Sequence, residues 1–159
     1  MKKRINWKQL LILIAIPLAV GGLAALLTGK SMGSYEGLQK PPLSPPPILF
    51  PIVWTALYIL MGISAYLVYT APAAQSVRTR GLLVWGLQLF FNFLWPLLFF
   101  KLAAYAVSFF WLLALLALVA AMIFAFRKAS HTAAWLQSPY LLWGIFAAYL
   151  NLGVWALNG

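Results

Sequence analysis

Gln88, Asn92, Trp95 and Phe99 follow one another at intervals of four, three and four residues, the spacing that stacks side chains on one face of a helix. Tyr140, Trp143, Ala147, Asn151 and Trp155 repeat the pattern, and Trp54, Tyr58, Met61 and Ala65 form a third stripe. Indoles, phenols and amides on apolar helices offer π-faces for stacking and a few hydrogen bonds at fixed positions. They do not offer a titratable pair. Glu36 is the one acidic residue and His131 the one histidine, and they fall in separate loops, so general acid–base catalysis lacks positioned partners. Cysteine is absent, which removes thiolate chemistry, disulfides and soft metal sites. The sequence has no Ser-His-acid set, metal-ligand cluster or glycine-rich phosphate loop. These residue types suit a pocket for a large, flat, apolar ligand. They also suit packing, because asparagine and glutamine bond neighbouring membrane helices for about 0.5 to 2 kcal/mol. On the pattern alone Gln88, Asn92 and Asn151 fit either role.

The elements that must hold these stripes follow from composition. The 159 residues are 65% hydrophobic and 8% charged, outside the range of soluble domains. Charge-free stretches of about 20 residues or more separate Lys8 from Lys30, Lys40 from Arg78, Arg80 from Lys101 and Lys101 from Arg127, and another follows His131; each is long enough for a bilayer span. The expected fold is all-α, an integral membrane bundle of five transmembrane helices over about 9–28, 48–71, 81–100, 103–126 and 133–157. It forms one domain over 1–159 with a proline-rich loop at 29–47. The segment MKKRINWKQL and the small residues Gly22 to Ala25 resemble a signal peptide, but the apolar stretch exceeds the roughly 7 to 15 residues of a signal core and reads as the first span.

The net charge of +10 is spread over span ends, which speaks against nucleic-acid binding and for anionic lipid headgroups. Lys2, Lys3, Arg4, Lys8, Arg78, Arg80, Arg127 and Lys128 fall on one side, with Arg78 and Arg80 in the second loop and Arg127 and Lys128 in the fourth; Lys30, Lys40 and Lys101 fall on the other. The positive-inside rule then places the N-terminus in the cytoplasm and the C-terminus outside. A bacterial inner membrane is the simplest location for so short an N-terminus. No charge lies within a span, which argues against an ion-coupled pump.

On the outer side, KPPLSPPPILFPIVW gathers six prolines before span 2. Pro41, Pro42, Pro45, Pro46 and Pro47 predict an extended, stiff segment near polyproline II geometry, whereas Pro51 falls in a first helical turn that tolerates it. The segment is either a rigid connector or a cap over a cavity. At about 1.5 Å rise per residue, Trp54, Asn92, Trp95 and Asn151 all lie roughly 9 to 14 Å from the outer helix ends, so three stripes meet at one level beneath it. Trp7, Trp85, Trp111 and Trp135, near span ends, predict an interfacial belt. Ala117, Ala121 and Ala125 form a small-residue stripe, read as internal packing ahead of a dimer interface. His131, beside Arg127 and Lys128, reads as a solvated loop residue.

KPPLSPPP, FPIVWTALYILMGISAYLVY, QLFFNFLWPLLFF and PYLLWGIFAAYLNLGVWALN, in this order and spacing, resemble the translocator protein, or tryptophan-rich sensory protein, family. That resemblance implies five membrane helices, a cavity among their outer halves closed by the first loop, and tetrapyrrole ligands, with sterols and benzodiazepine-type drugs in some members. It implies a ligand role for Trp54, Asn92, Trp143 and Ala147. Two departures stand out. Leu43 occupies the loop position where members usually carry tryptophan, and Leu152 and Ala156 stand where the sterol pattern needs a tyrosine and a basic residue, so sterol binding is not implied. The expected function is a receptor-like protein that binds protoporphyrin IX or haem to sense, handle or regulate it, with no obligatory cofactor or metal. Trp54, Tyr58, Trp95, Phe99, Trp143 and Ala147 would line the macrocycle. Gln88, Asn92 and Asn151 would bond its polar edges, and Lys40 would pair with a propionate. Light-dependent porphyrin degradation helped by Trp54 and Trp143, and passive transport, are the alternatives. The expected partners are the bilayer, the porphyrin and, as an option, a second copy of the chain.

Overall fold

The computed structural model describes residues 4–159; Lys2 and Lys3, which belong to the basic count, lie outside the described residues. The chain is all-α, and five of its helical stretches are long and apolar enough to cross a membrane. In chain order the α-helices are α1 (Trp7–Thr28), the short α2 (Met32–Glu36) on the side away from the basic residues, hereafter the outer side, α3 (Leu49–Tyr69), α4 (Gln75–Pro96), α5 (Tyr105–Arg127), the short α6 (His131–Leu136) and α7 (Ser138–Asn158). The second loop is shorter than charge spacing suggests. α4 starts at Gln75, so Arg78 and Arg80 sit in its first turns, and the Arg78 guanidinium donates to the Tyr69 carbonyl (3.0 Å) at the end of α3. Long basic side chains can extend from a helix end to the interface, so charge marks the membrane border better than it marks the loop.

Local chemistry accounts for the ends. Asn6 caps α1 by accepting from the Gln9 amide (3.2 Å), and Ser130 caps α6 by accepting from that of Ala133 (3.1 Å). Pro139 stands at the start of α7, where its missing N–H is harmless; its ring interrupts helix continuity from α6, so the fifth membrane-crossing stretch, His131–Asn158, which contains the span expected at 133–157, is made of α6 and α7 with a turn at Gln137. The α4 helix passes at Pro96 into a π-turn over Leu97–Lys101, closed by the Leu102 amide on the Leu97 carbonyl (3.0 Å).

The helices close into a ring in which α1 packs on α3, α4 on α5 and α5 on α7, while α3 meets α6 rather than the length of α7. A side-chain carbon at Gly62 would collide with the Ile14 backbone, so glycine is what lets α1 and α3 approach this closely. The Asn6 amide donates to the Tyr66 hydroxyl (2.9 Å), which ties the N-terminal end of α1 to the far end of α3. Arg4, Lys8, Arg78, Arg80, Arg127 and Lys128 thus share one side, the basic side. Here Met61, Ala65, Val68, Val119, Met122, Phe126 and Ala133 are completely buried in one apolar core.

Several expectations about orientation change. Trp7 and Trp135 face outward, 63% and 75% exposed, as belt residues do. Trp85 does not: it is buried, and its indole donates to the Met61 carbonyl (3.2 Å). Trp111 stacks on Phe91 and donates to its carbonyl (2.9 Å), joining α5 to α4. An indole N–H in an apolar medium needs an acceptor, and a helix carbonyl supplies one. Ala117 and Ala121 are exposed, because the buried face of α5 is the stripe of Ser108, Leu112, Leu115, Val119, Met122 and Phe126. Two of the three ladder alanines therefore lie outside the internal packing, while Ala125 is half-buried.

The proline segment is not one extended rod. Leu43 adopts a left-handed conformation (φ 70°) within a turn that the Ser44 hydroxyl closes on the Pro41 carbonyl (2.7 Å). What fixes the segment is α7. Asn158 bonds both the amide and the carbonyl of Gln39 (3.1 and 2.8 Å), and the Tyr149 hydroxyl donates to the Pro42 carbonyl (2.6 Å). The Pro41 ring fills the space over Gly153 that any larger residue would occupy.

Candidate functional site: an aromatic intramembrane cavity

A cavity of about 420 Å³ lies between the outer halves of the helices. Of the nine residues expected at the site, eight line it: Trp54 and Tyr58 from α3, Asn92 and Trp95 from α4, Phe99 from the π-turn, and Trp143, Ala147 and Asn151 from α7. The π-turn matters to the pattern, since it carries Phe99 inward after Pro96 and stacks its ring on Trp95 with centroids 5.2 Å apart. Trp54 stacks on Tyr58 (5.6 Å) and meets Tyr140 edge-on (6.2 Å), and Phe50 meets Trp143 edge-on (5.9 Å). The walls are therefore rings held by rings.

Gln88 is the residue that does not line the cavity. It is completely buried behind Tyr140, whose hydroxyl donates to its Oε1 (2.6 Å). That bond belongs to a directed chain: the Tyr58 hydroxyl donates to Asn92 Oδ1 (2.8 Å), Asn92 Nδ2 donates to the Tyr140 hydroxyl (2.8 Å), and Tyr140 donates to Gln88. Asn151 is engaged as well. Its Oδ1 accepts from the Trp95 indole (3.0 Å) and the Ser108 hydroxyl (3.1 Å), while its Nδ2 donates to the Tyr105 carbonyl (3.0 Å). The indole is donor-only, so the oxygen of Asn151 must face it. After these bonds Asn92 and Asn151 each keep one amide hydrogen uncommitted, and the buried indole nitrogen of Trp143 has no partner at all. Two cavity-lining amides thus keep one donor each, beside spare acceptor capacity on the Tyr58 hydroxyl and Asn92 Oδ1, which suits a flat apolar ligand with a few polar atoms.

The first loop closes this space differently from the expected cap. None of the prolines from Pro41 to Pro47 lines the cavity; Tyr35 of α2 does, packed on Phe99 (5.8 Å) and Phe100 (5.3 Å). Burial raises the Tyr35 phenol above its ordinary pKa, so it stays neutral. Lys40 lies over the Tyr35 ring (5.0 Å to its centroid), and its ammonium donates to the Glu36 carbonyl (3.0 Å). Leu43, 82% exposed, points away from the cavity. Sequence reasoning left out Tyr35, Phe50 and Tyr140 as lining residues. Tyr140 was legible in its stripe, and Phe50 extends the Trp54–Tyr58 stripe by one turn toward the start of α3, whereas Tyr35 sits on the short α2 and belongs to no helical period that runs through the site. Among the described residues no cluster of His, Asp or Glu could hold a metal.

Five membrane-crossing helices around an aromatic cavity with few polar groups define a class, a helical membrane protein with an intramembrane cavity. Residues 13–156 match the model of the TspO/MBR family, and the chain belongs to that family. It is 34% identical over 155 residues to the tryptophan-rich protein TspO of Chlorobaculum tepidum, covering 95% of this chain and 98% of that one. It is 36% identical over 124 residues to protein CrtK of Rhodobacter capsulatus, covering 78% of each. With the translocator protein of Ovis aries it shares 36% over 135 residues, covering 83% and 79%.

Proposed function

We propose that this protein binds a tetrapyrrole such as protoporphyrin IX or haem in the aromatic cavity, as a membrane receptor that senses or handles it. The observation that carries the reading is the wall itself: stackable rings of Trp54, Tyr58, Trp95 and Trp143, with one uncommitted amide hydrogen each on Asn92 and Asn151. A planar macrocycle with ring nitrogens and carboxylates presents flat faces and acceptors to match. The cavity lies within the size range of small-molecule sites, roughly 300 to 1,000 Å³. The nine residues proposed at the site divide by role. Trp54, Tyr58, Trp95, Phe99, Trp143 and Ala147 touch the ligand, Asn92 and Asn151 touch it while holding the helices together, and Gln88 acts through Tyr140. The proposed setting is a bacterial inner membrane with the basic side in the cytoplasm.

Titration of the purified protein with protoporphyrin IX, read by tryptophan fluorescence, tests this. Quenching should saturate near one ligand per chain. Trp54→Phe or Trp143→Phe should weaken it at least about tenfold, equivalent to ~1.4 kcal/mol, with little change in melting temperature. Quenching that rises linearly and matches empty detergent means partitioning rather than a site.

Trp54 contacts both Tyr58 and Tyr140, which favours a second reading, in which bound porphyrin under light and oxygen is oxidised beside a chain of redox-active rings. Loss of porphyrin absorbance under illumination that Trp54→Phe suppresses, with binding retained, would support it.

A further inference from the structure

We propose that the groove at the basic end of α5, α6 and α7 binds the phosphate headgroup of an anionic phospholipid. The groove, about 290 Å³, is lined by Ile123, Arg127, His131, Ala134, Trp135 and Ser138 and shares no residue with the intramembrane cavity. Its walls are two helical faces. Ile123 and Arg127 lie one turn apart on α5, and His131, Ala134, Trp135 and Ser138 run at intervals of three, one and three across the α6–α7 junction.

The groove is built on a rigid floor. The Phe126 carbonyl accepts from the amides of Ala129 (2.9 Å) and Ser130 (2.7 Å), and the Ser130 hydroxyl caps α6, which fixes the angle at which α6 leaves α5. Behind the lining, Phe126, Ala133 and Gln137 are completely buried. In front, Arg127, Lys128 and His131 are exposed, and among the described residues none of their side chains has a hydrogen-bond or ion-pair partner. The one acidic residue, Glu36, lies at the opposite membrane face, so no carboxylate competes for the Arg127 guanidinium.

The vertical order matches a lipid rather than a soluble anion. Arg127 ends α5 at the membrane border, while Ile123 sits about 6 Å deeper, at the level where an acyl chain begins. Trp135, 75% exposed, and Ile123 give the groove its apolar surface. A dissolved phosphate has no use for that apolar half. Arginine pairs with phosphate oxygens through its planar fork, the Ser138 hydroxyl can donate a further bond, and the tryptophan suits the headgroup level. A zwitterionic headgroup brings its own cation to a cluster without a carboxylate. The anionic lipid is therefore the one favoured, and basic pockets between helices on the cytoplasmic side take such headgroups.

Native mass spectrometry of the full chain in detergent, titrated with phosphatidylglycerol and separately with phosphatidylcholine, tests the assignment. The wild type should retain one phosphatidylglycerol in preference to phosphatidylcholine. Arg127→Gln should lower that retention about fivefold, equivalent to ~1 kcal/mol, and Trp135→Ala should lower it by a smaller factor. Arg80→Gln, an exposed basic position on the same side but outside the groove, should leave it unchanged. Equal loss in Arg80→Gln and Arg127→Gln would overturn the site in favour of diffuse surface charge. Equal retention of the two lipids, or no effect of either groove variant, would overturn it outright. Displacement by inorganic phosphate would reassign the groove to a soluble anion, and displacement by protoporphyrin would reassign it to the porphyrin. Since the two sites share no residue, protoporphyrin quenching in Arg127→Gln should match the wild type, and a loss of quenching in that variant would count with the porphyrin reassignment against the lipid site.

Discussion

The outer and basic halves of this bundle are built from the same five helices and a similar apolar alphabet, yet one half holds a cavity and the other is solid. On the basic side Met61, Val68, Met122 and Phe126 belong to one core with zero exposure. On the outer side the facing positions carry large flat rings and small residues: Trp54 and Tyr58 across from Trp143 and Ala147, with α1 contributing Gly22, Ala24 and Ala25 to the wall. Flexible methionines and branched side chains fill irregular gaps, whereas rings braced against other rings leave the space between them open. The difference also shows in the polar groups. On the basic side the buried Trp85 indole bonds a single helix carbonyl and Gln137 is buried with both side-chain amide atoms unpartnered, while the outer half holds a connected network with amide donors left over on cavity-lining residues.

The contrast can be broken by substitution, and the largest effect should come from the solid half. Phe126→Ala removes a fully buried ring that also packs against Gly81, and should destabilise the protein by about 3 to 5 kcal/mol in thermal unfolding while leaving porphyrin affinity unchanged in the cold. An equal loss of affinity would mean that the two halves are energetically one unit. Next comes the network between them. Asn92→Ala strands the Tyr58 hydroxyl and removes a donor from that of Tyr140, which keeps its bond to Gln88, and should cost about 1 to 3 kcal/mol, with weaker porphyrin binding as well; a melting temperature equal to wild type would mean the chain of bonds contributes little. Tyr58→Phe removes only the first donor of that chain and should cost less than Asn92→Ala when the two are unfolded side by side.

The cavity wall should respond in the opposite sense. Trp143→Phe deletes an indole N–H that is buried without a partner, so the ligand-free protein should melt no earlier than wild type, even as porphyrin binding falls. Early melting would show Trp143 to be packing rather than wall. The smallest effect belongs to the loop. Leu43→Gly relieves a left-handed backbone at an exposed site and should change stability by less than about 1 kcal/mol, on the stabilising side, without altering porphyrin titration.

Much of the site could be read from spacing because a helix converts intervals of three and four residues directly into a shared face. Eight of the nine expected residues meet at one cavity for that reason. Gln88 shares the face of Asn92 but sits a turn below the opening, and periodicity does not say how deep along a stripe the helices part. The tryptophans show the same limit. Trp85 and Trp135 both lie near span ends in the sequence, yet one is buried against the Met61 carbonyl and the other faces out.

What the sequence by itself determined was the solvent, the number of spans, their alternation and the faces on which rings and amides fall. Each of these follows from local composition and from helix geometry that every residue obeys alike. Only the tertiary structure decided which stripe faces its neighbours and which faces lipid, as for the exposed Ala117 and Ala121. It also decided that Tyr35 rather than the prolines closes the cavity and that Asn92 and Asn151 spend most of their hydrogen bonds on other helices. Those outcomes depend on helix rotation and on the α2 segment, which are set by contacts between residues far apart in the chain.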